Sequence, residues 1–202
     1  MKNIMVLASG NGTNFQAIID AVDNGVINNG KISKLICNNK RAYVIQRAKE
    51  NGIPSVLVDA AGRDYNNLIL SLLKAEEPDL IILDGYMKIL PDSIINEFKY
   101  KIINLHPSLL PAFGGKGYYG KKVHEAVIKS GARYSGCTVH FATNDVDDGP
   151  IIDQRVVEVS DYETPETLEE KIHEEEHKSL VYSINLLLTE RYTINGKRVI
   201  RD

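Results

Sequence analysis

Asn3-Ile4-Met5-Val6-Leu7-Ala8-Ser9-Gly10-Asn11-Gly12-Thr13-Asn14-Phe15 opens the chain with an apolar run, a glycine-broken bend and the start of a helical pattern. A strand that runs through a tight turn straight into a helix is the first half of a strand–helix–strand unit. Working outward, the same alternation continues. Asn3–Ala8, Ile32–Cys37, Ser55–Val58, Leu80–Leu83 and Lys101–Leu105 read as strands, with helices predicted over Thr13–Val22, Arg41–Glu50, Arg63–Ala75 and Pro91–Phe98. Such repetition implies parallel strands whose faces are covered, hence an α/β fold. Asn24-Gly25, Asn51-Gly52-Ile53-Pro54 and Glu77-Pro78 punctuate the units as helix ends do.

The second half has a different rhythm. Tyr118–Lys129 reads as a helix, Ser135–Ala142 and Ile151–Glu158 as strands joined by an acidic turn, and Thr164–Leu188 as one long helix capped by Thr164 with Pro165 in its first turn. Tyr192–Ile200 reads as a small hairpin on Asn195-Gly196. No linker or repeat interrupts the 202 residues, so a single domain is expected.

Composition narrows the class. Hydrophobic residues make up 43% and charged residues 25%, with no apolar run near the ~20 residues of a membrane span. Ile4–Ala8 is too short for a signal-peptide core, and a cytoplasmic protein without a membrane partner is expected. Cys37 and Cys137 have no Cys-x-x-Cys spacing and read as reduced, partly buried thiols. A net charge of −3 argues against a broad nucleic-acid surface. A small anion needs only local positive potential, which the amides of a glycine bend at a helix start supply.

Ser9-Gly10-Asn11-Gly12-Thr13-Asn14 is such a bend. It is not a dinucleotide fingerprint: position 15 is Phe15 instead of glycine, and Asn38-Asn39-Lys40 stands where an acidic residue is needed. No Gly-Lys-Ser/Thr follows, which excludes a nucleoside triphosphate loop. A phosphate monoester is the ligand that fits. The alternative is that the glycines only turn the chain and Thr13 caps the helix.

The chemistry concentrates at Asn104-Leu105-His106-Pro107-Ser108-Leu109-Leu110-Pro111. Side chains two apart on a strand share a face, so Asn104 and His106 point the same way, and Pro107 stops the strand beyond them. An amide donor beside an imidazole suits a reaction in which charge develops on oxygen while a proton moves. Asp147, in Asn144-Asp145-Val146-Asp147-Asp148-Gly149-Pro150, is the candidate third member. The same turn misses the EF-hand register and has no closing Glu. Ser108 lacks the Gly-x-Ser-x-Gly elbow of a nucleophile and reads as loop structure.

His173-Glu174-Glu175-Glu176-His177 matches the zinc-protease pattern His-Glu-x-x-His, but its helix carries Glu166, Glu169, Glu170, Glu174, Glu175 and Glu176 as a solvated acidic face does, and no third ligand is evident. No metal is expected, while a Glu176 reaching a polar substrate stays open. His124 and His140 read as satisfied structural histidines.

With these residues assembled, the chain resembles the phosphoribosylglycinamide formyltransferase family over nearly its whole length. The likeness runs through Ser9–Ile18, Gly85-Tyr86-Met87-Lys88-Ile89-Leu90, Asn104–Pro111, His140–Pro150 and Glu176-His177. It implies a Rossmann-like formyltransferase fold, a mainly parallel sheet of about seven strands with helices on both faces and folate near the middle of the sheet edge. It also implies transfer of the formyl group of 10-formyltetrahydrofolate to the amine of phosphoribosylglycinamide in purine biosynthesis, by direct attack without an enzyme nucleophile. On these positions Asn104, His106 and Asp147 are catalytic, Gly12, Thr13 and Asn14 hold the phosphate, and Glu176 contacts the ribose. Met87, Lys88, Ile89 and Leu90, with Asn104 and the backbone of Asn144, Asp145 and Val146, line the pterin pocket, and Arg63 approaches the folate's acidic tail. A monomer or homodimer is expected.

The chain departs from the family form at Lys88, where Arg is frequent, at Asp148, where Gly is frequent, and across Phe113–Gly120, where a Pro-Gly loop is common. Rival readings are a methionyl-tRNA formyltransferase, which carries a basic C-terminal domain, a zinc hydrolase and a non-catalytic folate-binding module. In the leading reading Asn104 donates to the oxyanion and a protonated His106, favoured by Asp147, delivers the proton that the leaving nitrogen requires.

Overall fold

The structure, a computed structural model, describes residues 1–201. The chain divides into two compact units, Met1–Ile103 and a second beginning at Asn104.

In the first unit β1 (Lys2–Ala8) leads into α1 (Thr13–Asp23), followed by β2 (Gly30–Cys37), α2 (Val44–Glu50), β3 (Ser55–Leu57), α3 (Tyr65–Glu76), β4 (Leu80–Asp84) and α4 (Asp92–Glu97). β1 pairs in parallel with β2 on one side and β4 on the other, and β3 extends β2, giving the order β3-β2-β1-β4. Ile4–Ala8 is fully buried, as befits a parallel strand covered on both faces. Every strand therefore delivers its C-terminal end, and the turn after it, to the same edge. That places the Ser9–Gly12 bend and the Gly85–Leu90 segment at neighbouring strand ends. β5 (Ile102–His106) crosses the boundary between the units and ends at His106, immediately before Pro107.

The second unit continues with α5 (Lys121–Ser130), β6 (Tyr134–Phe141), β7 (Ile151–Glu158), α6 (Pro165–Thr189), β8 (Tyr192–Asn195) and β9 (Arg198–Arg201). β6 and β7 are antiparallel; β9 pairs in parallel with β7 and closes a hairpin with β8. The hairpin brings the total to nine strands among the described residues, against the about seven expected. Val127, Cys137, Val157, Val159, Leu168 and Ile172 form a core beneath α5 and α6. Thr164 caps α6 by accepting from the Thr167 N–H, with Pro165 at the first helical position, as predicted.

Three helix starts fall later than their sequence signals. α2 begins at Val44, α3 at Tyr65 and α5 at Lys121, three, two and three residues after Arg41, Arg63 and Tyr118. Local hydrogen bonds take the earlier residues into turns: the Ala42 N–H donates to Asn39, the Tyr65 N–H to Gly62, and the Tyr118 N–H to Gly115. No helix among the described residues is long and apolar enough to cross a membrane.

Candidate active site

Asn104, His106 and Asp147 meet in the second unit. Asn104 and His106 lie two apart on β5, so both face Asp147, whose carboxylate serves one with each oxygen. Asn104 Nδ2 donates to Oδ1 at 3.3 Å, and His106 Nδ1 lies 3.4 Å from Oδ2. The pair is well shielded: His106 is 4% exposed, and the Asp147 side chain 8%.

The turn that carries Asp147 is anchored where β6 ends and β7 begins. The Phe141 N–H donates to the Pro150 carbonyl, and Gly149 lies so close that an added Cβ would stand 1.7 Å from the Phe141 oxygen. Only glycine fits there. Asp147 itself adopts a left-handed backbone, φ 56°, unusual for a residue with a side chain.

A second strained residue lies across the ring. Phe113, with φ 52°, accepts a 2.8 Å hydrogen bond at its carbonyl from His106 Nε2. A carbonyl can only accept, so this bond puts a proton on Nε2. Two residues on, the Gly115 N–H donates to Asp147 Oδ2 at 3.0 Å. An added Cβ on Gly114 would meet Leu110 Cδ2 at 2.4 Å and Asp147 Cβ at 3.4 Å. The Phe113–Gly120 loop thus holds both His106 and Asp147. Backbone strain on both sides of one imidazole is characteristic of a functional centre.

Electrostatics pull on the imidazole from two sides. Burial is the largest influence on His106 and holds its pKa below the ordinary 6.5, while Asp147 and the Phe113 carbonyl act the other way. Nε2 donates to the Phe113 carbonyl and Nδ1 faces the Asp147 carboxylate, so both ring nitrogens stand against acceptors, an arrangement that suits the protonated ring against the pull of burial. Burial also works against the Asp147 carboxylate, but His140, His106 and the Gly115 N–H together bring its pKa below the usual value. It remains ionised at neutral pH.

His140, expected to be structural, belongs to this cluster. Its Nε2 stands 3.2 Å from Asn104 Nδ2 and 3.6 Å from Asp147 Oδ1, and its Nδ1 donates to the Phe141 carbonyl. Alternation with Thr138 along β6 and its place at the head of the acidic-turn motif were the available signals. His124 departs from expectation too: it is 2% exposed on the inner side of α5, and its Nδ1 has no hydrogen-bond partner among the described residues.

Glu176 does not belong to a solvated face. Leu168, Ile172, Glu176 and Leu180 recur at four-residue intervals on the buried stripe of α6, and Glu176 is 8% exposed. His173 Nδ1 donates to its Oε2 at 2.9 Å. Among the described residues no group of three or more His, Cys, Asp or Glu is placed to hold a metal ion. Ser108 is fully buried and donates to the Ala112 carbonyl at 2.6 Å, a loop-bracing role as expected. Asn144, Asp145 and Val146 are exposed at the turn, where the Thr143 hydroxyl donates to the Asp145 carbonyl.

In the first unit Gly12, not Thr13, occupies the N-cap of α1, with φ 76° and no side-chain cap. Thr13 and Asn14 are then the first helical residues, whose N–H groups have no partner within the helix. The next N–H, of Phe15, donates to Asp84. Asn14 is buried, and its Oδ1 has no hydrogen-bond partner among the described residues.

Gly85–Leu90 is fixed by its neighbours: the Met87 N–H donates to Ser9 Oγ at 3.0 Å, and the Tyr86 hydroxyl bonds that of Tyr65. Leu90 is buried, but Met87 and Ile89 are 61% and 71% exposed. A pinned backbone therefore presents two apolar side chains to solvent. Lys88 Nζ lies 6.0 Å from the centre of the Tyr65 ring, and Arg63 is exposed in the turn before α3.

Comparison with known proteins follows the same pattern. The family model described as formyl transferase matches residues 2–184, a span that runs through both units. The chloroplastic phosphoribosylglycinamide formyltransferase of Vigna unguiculata is 42% identical over 194 residues, covering 94% of this chain and 62% of the relative, so the chain spans under two thirds of that protein's length. The phosphoribosylglycinamide formyltransferase of Bacillus subtilis is 37% identical over 182 residues, covering 88% of this chain and 90% of its own. Among solved structures, glycinamide ribonucleotide transformylase 1 from Symbiobacterium toebii superposes with a TM-score of 0.92 at 36% identity, covering 100% of this chain and 94% of its own.

Proposed function

The chain belongs to the formyl transferase family, and on that premise we propose that it transfers the formyl group of 10-formyltetrahydrofolate to the amine of phosphoribosylglycinamide, a step of purine biosynthesis. The observation that carries the reading is the convergence of Asn104, His106 and Asp147 around one largely buried carboxylate.

The amine attacks the formyl carbon, and the carbonyl pair moves onto oxygen. Asn104 donates to that oxygen. Its two present contacts, at 3.2 and 3.3 Å, are long for hydrogen bonds and are readily exchanged for a charged acceptor. A protonated His106 beside Asp147 stabilises the developing negative charge and is placed to deliver a proton. His106 gives its proton to the folate nitrogen as the carbon–nitrogen bond to folate breaks, and takes up in return the proton that the former amine nitrogen sheds. Asp147 stabilises the transient positive charge and orients the ring. The formyl group ends on the amine, with no bond to the enzyme at any stage.

Gly12, Thr13 and Asn14 hold the phosphate, where first-turn amides favour an anion. Glu176, on an otherwise apolar stripe, accepts from ribose hydroxyls. Met87, Lys88, Ile89 and Leu90 contact the pterin, supported by the exposed apolar side chains of Met87 and Ile89. Asn104 and the backbone of Asn144, Asp145 and Val146 contact the same ring system, and Arg63 its acidic tail. Both substrates are small molecules, and neither nucleic acid nor a resident metal takes part.

The test is to mix the purified protein with 10-formyltetrahydrofolate and phosphoribosylglycinamide and follow the deformylated folate by absorbance. Release that depends on the amine supports the reading; release of formate without the amine, or none at all, overturns it.

A further inference from the structure

The glycine bend of the first unit is held from one side by α2. The Val44 N–H donates to the Gly10 carbonyl at 3.2 Å, and Arg47 Nε donates to the Asn11 carbonyl at 2.9 Å. In a trans peptide the C=O and N–H point in opposite directions. Drawing the carbonyls of Gly10 and Asn11 toward α2 therefore turns the N–H groups of Asn11 and Gly12 away from it. With Gly12 in the left-handed region, φ 76°, successive amides form the concave arrangement that binds anions.

Arg47 is itself well fixed. Nη2 donates to Asn11 Oδ1 at 2.8 Å and Nη1 to Gln16 Oε1 at 3.4 Å, and the guanidinium lies 5.0 Å from the centre of the Tyr43 ring. One planar fork thus ties the loop's backbone, a loop side chain and the second turn of α1 together. Val44 closes the remaining gap, since an added Cβ on Gly12 would lie 2.4 Å from Val44 Cγ2. The guanidinium also brings a permanent positive charge close to the bend without being spent on a carboxylate.

We infer that Arg47 is a positioning residue for phosphate-monoester recognition: it sets the peptide orientations of the Gly10–Gly12 bend and so the affinity for the phosphorylated substrate. This rests on the reading that the bend holds the substrate phosphate. Arg47 acts through the loop and touches no reacting atom. A lysine at the position keeps the charge but cannot reach the carbonyl and the side-chain oxygen of Asn11 together.

The experiment compares wild type, Arg47→Lys and Arg47→Gln. KM for phosphoribosylglycinamide should rise at least about tenfold in both variants, because charge-assisted fork bonds are lost in both. kcat and the KM for 10-formyltetrahydrofolate should stay at wild-type values. Full activity of Arg47→Lys, or a parallel loss of kcat and both KM values, overturns the positioning role. A titration with inorganic phosphate, followed through the amide resonances of Gly12 and Thr13, separates the two layers. If these amides ignore phosphate in wild type, the phosphate reading itself fails. If they respond equally in wild type and Arg47→Gln, only the role of Arg47 fails.

Discussion

Asp147 divides its carboxylate between Asn104 and His106, with Oδ1 3.3 Å from the amide nitrogen and Oδ2 3.4 Å from the imidazole Nδ1. Asp147→Asn keeps the shape and removes the charge. With burial already lowering the pKa of His106, losing the carboxylate lowers it further. The basic limb of the pH–rate profile, where the protonated ring is lost, should move to lower pH, and kcat should fall on the order of 10¹–10³. An unchanged profile would show that Asp147 does not act through His106.

Asn104 is the amide that shares the Asp147 carboxylate with His106. Asn104→Ala should reduce kcat on the order of 10²–10³, the usual cost of one oxyanion donor, with little change in melting temperature. A variant within a few-fold of wild type would remove Asn104 from the mechanism.

Stability should fall in mild acid. Burial is the main reason that both His106 and His124 have pKa values below 6.5, with nearby carboxylates opposing it at each. An unfolded chain with ordinary histidines then binds protons that the folded chain excludes. The stabilisation is complete above about pH 6.5 and is lost as pH drops toward the folded-state values. Urea midpoints measured at about pH 7.5 and about pH 5.5 should differ, and His124→Gln should shrink the difference. Equal losses in wild type and variant would exclude a contribution from His124.

Gly149 stands against the Phe141 carbonyl, with no space for a methyl group. Gly149→Ala should cost about 2–4 kcal/mol by thermal or chemical denaturation, since the obstacle is backbone rather than a flexible side chain. The acidic turn has to shift to admit the methyl, so activity should fall even where the variant remains folded.

Ser108→Ala removes a buried hydroxyl that donates to the Ala112 carbonyl. About 1–2 kcal/mol of stability should be lost, with turnover retained. Near-complete inactivation of a folded variant would restore the case for an acyl-enzyme.

Much of the frame was legible because it depends on local periodicity. The buried run Ile4–Ala8, the glycine bend and the two-residue spacing of Asn104 and His106 each follow from a strand's geometry. Thr164 and Pro165 marked the start of α6 through short-range capping. What escaped notice depends on chain segments meeting at a distance. His140 is an ordinary strand residue until Asp147 folds back beside it. Glu176 reads as one more acidic helix residue until the register of Leu168 and Ile172 puts it on the buried side. The opposing pulls of burial and carboxylate on His106 depend on how enclosed its site is, which no spacing reveals. Arg47 works through a backbone carbonyl 36 positions away in sequence.

β5 alternates its side chains along five residues, with Asn104 and His106 on the side of Asp147 and Leu105 directed elsewhere. Its arithmetic is therefore as important as its chemistry. Removing or adding one residue between Ile102 and His106 reverses which side each later side chain faces, turning one of the pair away even with every functional residue still present. Length variation should be tolerated in outlying turns such as Asp23–Gly25, and hardly at all in this five-residue strand.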